Sequence, residues 1–432
     1  MDKNRKTAYQ VLMDVETKHA YSNIALNHRI LRNKPDSQPF VRRLVYGVLE
    51  KKYFLDYIID KLAEKGVKDM KMPELIIIRM GLYQIIDMVS VPEYAAIDES
   101  VKLAKTYVKG KAKFVNAILR AFTRQRYEIK LPDRSKDEME YLKTKYSCEP
   151  WIIELWRETY SIEFVEEMLK SSLEPADMTL RVNETKARRE DLKKQLIGRG
   201  YNVKDGKFAK NALHVEGTEI VEDNFYKTGL FSIQDEASQM VAQVLDPRPT
   251  DFVIDVCAAP GGKTLAMAER MQGKGEILAQ DIYKRKVEII NKEAERLGLK
   301  NINTRSWDAT RVDSALIDKA DKVLVDAPCS GLGVIQKKPE IKYKKNTDEI
   351  KRLPNIQLEI LSSSAKYVKK GGMLIYSTCT INSYENEDVV KGFLKKNKNF
   401  VKREAKLYLP NVDGVDGFYI CKMQRDDSIV RA

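Results

Sequence analysis

Hydrophobic positions in this chain change their spacing near residue 229. Over the first ~125 residues they recur at helical intervals, with little of the alternation of a strand. Glu74 to Met88 is apolar nearly all round, which predicts the central helix of a bundle, ended by Pro92. Ile97 to Tyr107 predicts the next helix, with Lys102, Lys105 and Lys109 along one face. Residues 130–145 are polar and charged and read as a connector, and a helical pair follows from Trp151 to about Ser172. A smaller α+β segment comes next, with a strand-like run from Met178 to Asn183 and a charged helix from Lys186. From about Gly229, short apolar runs alternate with helical stretches. Strands are predicted at Asp251–Val256, Glu276–Ala279, around Ile302–Arg305, at Lys322–Val325 and at Met373–Tyr376. Helices are predicted at Thr264–Met271 and Lys284–Leu297. Such alternation implies a twisted, mainly parallel sheet with helices on both faces. The chain is thus multidomain: an all-α bundle over 1–130, linker helices and a small α+β part over 140–228, and an α/β Rossmann-like domain over 229–432.

Composition narrows the class. A length of 432 residues is too great for one ordinary domain, and 43% hydrophobic with 32% charged residues describes a soluble globular protein. No apolar run approaches the ~18 residues that span a bilayer. The start, Met1 to Lys6, lacks the apolar segment of a secretion signal. Five cysteines without C-x-x-C spacing argue against a disulfide framework and against a zinc site, so no metal is expected. A cytoplasmic, monomeric protein that does not meet membranes is expected. Residues 1–130 hold 25 Lys+Arg and 15 Asp+Glu, a balance of +10, whereas the whole chain is +13, so the other 302 residues supply only +3. An excess confined to one end points to a domain that meets a polyanion, most simply nucleic acid. Lys102, Lys105 and Lys109, with Lys111, Lys113, Arg120, Arg124 and Arg126 close behind, form the candidate RNA-facing stripe. For any one of these lysines, a solvated helix face is the plainer reading.

Two motifs carry the chemistry. Asp326-Ala327-Pro328-Cys329-Ser330-Gly331 and Ser377-Thr378-Cys379-Thr380 each follow a predicted strand, which puts both thiols at carboxyl ends, where open α/β sheets place ligands. Two thiols and a carboxylate converging there suggest a sulfur nucleophile. Between the first strand and its helix lies Cys257-Ala258-Ala259-Pro260-Gly261-Gly262-Lys263, a turn that lets backbone approach a ligand. Asp281 ends the next strand, 26 residues after Asp255, where an acid binds ribose hydroxyls. The turn is neither G-x-G-x-x-G nor a P-loop, so an adenosine ligand without a pyrophosphate fits, S-adenosylmethionine. One acid at a strand end is ordinarily a cap or turn former, but Asp255, Asp281, Asp308 and Asp326 in register describe a crevice. The histidines, His19, His28 and His214, all lie outside these motifs, which disfavours a Cys-His hydrolase, although His214 could approach in space. A free thiol is most often a small buried hydrophobe, and that reading suits Cys148, Cys421 and Cys257.

D-V-C-A-A-P-G-G-K-T, D-A-P-C-S-G-L-G and S-T-C-T together resemble the RNA (cytosine-5) methyltransferases that use S-adenosylmethionine. Gly229 to Gln239 and Asp416-Gly417-Phe418-Tyr419 match the same family. R-M-G-L-Y-Q-I, V-P-E-Y-A-A-I-D-E-S-V and K-F-V-N-A-I-L-R resemble the NusB-type RNA-binding helical domain. The combination resembles the bacterial small-subunit rRNA methyltransferases over essentially the whole length. The sequence departs from relatives at Cys148-Glu149-Pro150, where a histidine often follows the serine, and at Lys337-Lys338, where an arginine pair is common.

The resemblance implies a class I methyltransferase domain, with Cys379 as nucleophile and Cys329 assisting adduct breakdown or product release. Asp326 would hold the base edge, and Lys263 would lower a thiol pKa or contact substrate. Cys257, Ala258, Ala259, Pro260, Gly261, Gly262, Lys263, Asp281, Asp308 and Asp326 would hold S-adenosylmethionine. The substrate implied is 16S rRNA or a small-subunit assembly intermediate. Arg181 and Asn183, on the α+β segment, join Lys102, Lys105, Lys109 and Arg120 as candidate RNA contacts. Rival readings keep the chemistry but change the RNA to tRNA or large-subunit rRNA, or make the chain a non-catalytic assembly or antitermination factor. A thiol-pair redox protein explains neither the adenosine-type crevice nor the basic domain.

Overall fold

Helical spacing in the first part of the chain becomes helix in the computed structural model, which describes residues 1–175, 178–217, 219–344, 347–426 and 428. It divides into two units, Met1–Glu174 with Ile335–Lys345, and Pro175–Val334 with Asn346–Ala432. The first unit holds α1 (Lys3–Lys18), α2 (Ser22–Asn33), α3 (Gln38–Glu50), α4 (Lys52–Leu62), α5 (Met72–Asp87), α6 (Glu93–Tyr107) and α7 (Ala112–Gln125). Next come α8 (Glu138–Tyr146), α9 (Pro150–Arg157) and α10 (Ile162–Ser171). The nearly all-apolar stretch is the central helix α5, buried on every side from Glu74 to Gln84. Its one buried cation, Arg79, is held by the Asp56 carboxylate at 2.6 and 2.7 Å. Pro92 does not end α5. It precedes α6 as the cap residue, because its fixed φ suits the extended entry to a helix. The expected connector contains α8, whose start is set by Asp137 accepting from the Glu140 amide. Its polar run is therefore in part a capping signal.

Ile335–Lys345 belongs to this helical unit although it is distant in sequence. The Glu340 carboxylate accepts from the amide and hydroxyl of Ser22, at 3.0 and 2.9 Å. Lys342 is 1% exposed. Its ammonium donates to the carbonyls of Glu50 and Tyr146, and burial lowers its pKa to about 8.

The second unit begins with β1 (Met178–Val182), α11 (Arg189–Gly198), β2 (Val203–Asp205), β3 (Ala212–Val215) and β4 (Phe231–Ile233), which form an antiparallel sheet in the order β2-β3-β1-β4. Thus β4 lies within the small sheet, past residue 229. After α12 (Glu236–Leu245) come β5 (Phe252–Asp255), α13 (Gly262–Arg270), β6 (Glu276–Asp281), α14 (Lys284–Leu297), β7 (Ile302–Ser306) and β8 (Ala320–Asp326). The chain continues through α15 (Thr347–Ala365), β9 (Val368–Thr378), α16 (Glu387–Lys396), β10 (Phe400–Tyr408) and β11 (Phe418–Arg425). The larger sheet runs β10-β11-β9-β8-β5-β6-β7. Strands β7, β6, β5, β8 and β9 are parallel, and β11 is antiparallel to both neighbours. Alternate residues of the apolar strands serve opposite faces. Leu324 and Ile375 enter the core on one side, and Val323, Val325, Leu374 and Tyr376 enter it on the other. Strand order reverses between β5 and β8, which opens a crevice at their carboxyl ends. No helix among the described residues is long and apolar enough to cross a membrane.

Candidate active site

Register brings the two cysteine motifs together. Asp326 and Ser377 are paired where β8 and β9 end, so the loops that follow leave the sheet side by side. The Cys329 and Cys379 sulfurs lie 3.2 Å apart. The Ala327 amide donates to the Ser377 carbonyl, and the Gly333 amide to the Cys379 carbonyl, at 2.9 and 3.1 Å. Gly333 is required here because a β-carbon would come within 1.9 Å of the Gly417 carbonyl oxygen. At the end of β8, the Asp326 carboxylate accepts from the Lys263 ammonium at 2.6 Å and from the Ser377 hydroxyl at 2.9 Å. Burial opposes the charge on Lys263, but the charge and hydrogen bond of Asp326 outweigh it and hold its pKa above the ordinary value. The hydrogen bond with Cys379, and then burial, push the Cys329 thiol well up.

The turn after β5 forms the other half of the crevice. Gly261 has φ 108°, a conformation open to glycine, and its amide donates to the Ala258 carbonyl. Asp255 is fully buried. One oxygen accepts from the Thr264 hydroxyl at 2.7 Å, while the other has no hydrogen-bond partner among the described residues. Burial raises its pKa to about 7. Asp281 closes β6 and accepts from the Tyr283 amide at 3.0 Å. Asp308, beyond β7, accepts from the Thr310 hydroxyl and amide, which lower its pKa. A glycine cradle, an orphaned buried carboxylate oxygen and successive strand-end acids fit the amino-acid and ribose groups of S-adenosylmethionine.

Three family models match the chain: the NusB family over residues 2–124, a ferredoxin-like domain of RsmF/B-like methyltransferases over 149–222, and the 16S rRNA methyltransferase RsmB/F over 242–424. A protein of Bacillus subtilis (strain 168), "Probable ribosomal RNA small subunit methyltransferase B", is 38% identical over 98% of both chains. The chain belongs to the RsmB/F family of rRNA methyltransferases. A member from Vibrio cholerae, "Ribosomal RNA small subunit methyltransferase B", is 28% identical over 96% of this chain and 95% of its own. The crystal structure of PH0851 superposes with a TM-score of 0.84 at 25% identity, covering 98% of each chain. Like its family, the protein is an S-adenosylmethionine-dependent methyltransferase.

Within this family member, the structure buries two of the expected RNA contacts, Arg181 and Asn183. Arg181 is 2% exposed. Its guanidinium grips both oxygens of Glu269 at 2.8 and 2.9 Å and donates to Gln234 and, at 2.7 Å, to the Gly262 carbonyl. It supports the glycine turn from below, out of reach of RNA. Asn183 is fully buried and donates to the carbonyls of Gly229 and Leu297. Lys102 is ion-paired with Asp98 and Glu99, and Lys109 lies past the end of α6, so the expected single stripe is broken. Lys105, Arg120 and Arg124 are exposed. Cys148 and Cys421 are buried, and Cys257 is partly buried. His214 stays in the small sheet, 3.0 Å from Glu236 and 3.2 Å from the Thr179 hydroxyl. Sequence reasoning quoted Ser377 within the second cysteine motif without giving it a role, and missed Gln357 and Glu385. Only the run Asn382-Ser383-Tyr384-Glu385-Asn386, just past the second cysteine motif, offered a signal for the last of these.

Proposed function

We propose that this chain methylates C5 of a cytosine in 16S ribosomal RNA through a covalent adduct on Cys379. The observation that carries this reading is the 3.2 Å separation of the Cys329 and Cys379 sulfurs beside the Lys263–Asp326 pair. The C5 carbon of cytosine is a weak nucleophile. When the Cys379 thiolate adds to C6, the ring becomes an enamine whose C5 attacks an electrophilic carbon; loss of the C5 proton then restores the double bond and expels the thiolate. S-adenosylmethionine, when bound, supplies the methyl group. Asp326 accepts hydrogen bonds from the base edge and orients the ring. The Lys263 ammonium favours the charged sulfur over the neutral one. Cys329, whose sulfur lies 3.2 Å from that of Cys379, assists breakdown of the adduct. The Cys257–Lys263 turn, Asp281 and Asp308 hold the cofactor.

The substrate reading is supported by relatives whose names specify the small ribosomal subunit and which match over nearly the whole chain. The target cytosine must be unpaired or flipped, because C6 is unreachable inside a helix. The basic segment 1–130 contacts phosphates, and the enzyme works as a cytoplasmic monomer.

Cys379→Ala is expected to abolish methyl transfer while cofactor binding persists; turnover by this variant would overturn the assignment. Cys329→Ala is expected to accumulate a covalent protein–RNA species, seen as a slowly migrating band on a denaturing gel. Mapping 5-methylcytosine in 16S rRNA from cells with and without the gene tests the substrate.

A further inference from the structure

The chain just beyond the second cysteine motif does more than lead into α16. Glu385 is fully buried. One carboxylate oxygen accepts from the Ser330 amide at 2.8 Å and from the Gln357 side-chain amide at 2.9 Å. The other accepts from the Asn382 side-chain amide at 3.0 Å. The Asn382 backbone amide donates to the Thr380 hydroxyl at 3.3 Å, and that hydroxyl lies 2.8 Å from the Ser330 hydroxyl. Ser330, Glu385, Asn382 and Thr380 therefore close a ring between the two cysteine loops.

The bonds end on the immediate neighbours of the thiols. Gln357 also donates to the Pro328 carbonyl at 2.9 Å, so Cys329 is bracketed on both sides, at Pro328 and Ser330. Asn386 brackets Cys379 likewise, accepting from the Thr378 hydroxyl and donating to the Thr380 carbonyl at 3.0 Å. None of these groups faces the crevice as a reactant. Ser330, Thr380, Gln357, Asn382 and Asn386 are all within 3% exposure, so the bonds form where water does not compete.

We infer that Glu385 is a positioning residue that locks the two cysteine loops together and so sets the distance between the reacting thiols. This rests on the covalent mechanism above for its catalytic consequence, but its geometric consequence stands apart from that mechanism. A carboxylate is needed because three donors converge on it. An amide in its place would turn its own N–H groups toward the Asn382 amide or toward Ser330 and Gln357.

The test compares wild type with Glu385→Gln and with the exchanged pair Asn382→Asp/Glu385→Gln, which again gives every donor an acceptor. Glu385→Gln is expected to lower kcat about 10- to 100-fold, the scale on which small misplacements act, with the KM for RNA changed less than about threefold. The exchanged pair is expected to recover at least about tenfold of that loss. A second readout needs no RNA. Diamide oxidises the Cys329 and Cys379 thiols to one disulfide while its N=N bond is reduced to the hydrazine, and the rate reports their separation. Glu385→Gln is expected to slow that reaction, and the exchanged pair to restore it. Wild-type kcat and a wild-type disulfide rate in Glu385→Gln overturn the inference, and so does a loss that the exchange does not recover. Absence of 5-methylcytosine formation by the wild-type enzyme would instead overturn the mechanism, leaving the disulfide comparison to judge the ring.

Discussion

Arg181 carries a charge on a strand of the small sheet and yet meets no solvent. Its fork-on-fork pairing with Glu269 has both side chains 3% exposed, a setting in which deleting one partner leaves the other charge buried and unmatched. Arg181→Met is expected to destabilise the fold by about 3–5 kcal/mol in urea unfolding, while the salt dependence of RNA binding by the folded fraction stays unchanged. Lys342 offers a pH-dependent counterpart. Its pKa is depressed by burial to about 8 from an ordinary 10.5, so above pH 8 the folded form binds fewer protons than the unfolded one. Stability from this group is fully present above pH 10.5 and is lost as pH falls through 8. The melting temperature is thus expected to rise across that window relative to Lys342→Met, which removes the slope; equal slopes in both proteins would contradict the assignment. Neither residue's environment is legible in the sequence, because a lysine or arginine reads as a surface group until its partners are known.

Among elements, the antiparallel strands β10 and β11 were not anticipated, and the parallel strands β5, β8 and β9 of the larger sheet were the most legible. Their apolar runs are short, continuous and bounded by turn residues, as strands buried on both faces must be. The central helix α5 was legible for a similar reason, since few polar positions interrupt it. The connector was not. Asp137, Glu138 and Glu140 read as solvated charge, although the same residues cap and favour the first turn of α8. The approach of the loop after β8 to the start of β11 was also invisible, because these segments are far apart in sequence. Gly333→Ala tests that approach. The added β-carbon would meet Gly417 backbone, so the Cys329 loop must move. Turnover is expected to fall about 10- to 100-fold, with S-adenosylmethionine affinity measured by calorimetry little changed. Equal losses in both would show that the whole crevice had collapsed.

At the scale of the whole molecule, the positive excess of residues 1–130 is a property of composition, and the structure redistributes it. Lys102 and Arg126 are held by acids, whereas Arg120 and Arg124 of α7 are exposed. Arg120→Glu/Arg124→Glu is expected to weaken rRNA binding and to flatten the slope of log affinity against log salt by about 0.7–0.9 for each phosphate no longer neutralised. An unchanged slope would move the RNA path off α7. The helical unit is also discontinuous in sequence, since Ile335–Lys345 joins it directly after the Cys329 loop. No local pattern announces this, because Glu340 and Lys342 find their partners more than 190 residues away.

By itself the sequence determined the succession of helical and alternating segments, the thiols and acids at strand ends, and the family these motifs resemble. Those are local properties: side-chain spacing selects helix or strand, and a residue at the end of a parallel strand necessarily reaches the ligand edge. Tertiary structure alone decided which charges face water, which polar residues bracket Cys329 and Cys379, and that Arg181 supports the glycine turn. Each of those depends on burial and on partners brought together by the sheet order, and neither is encoded in the spacing of nearby residues.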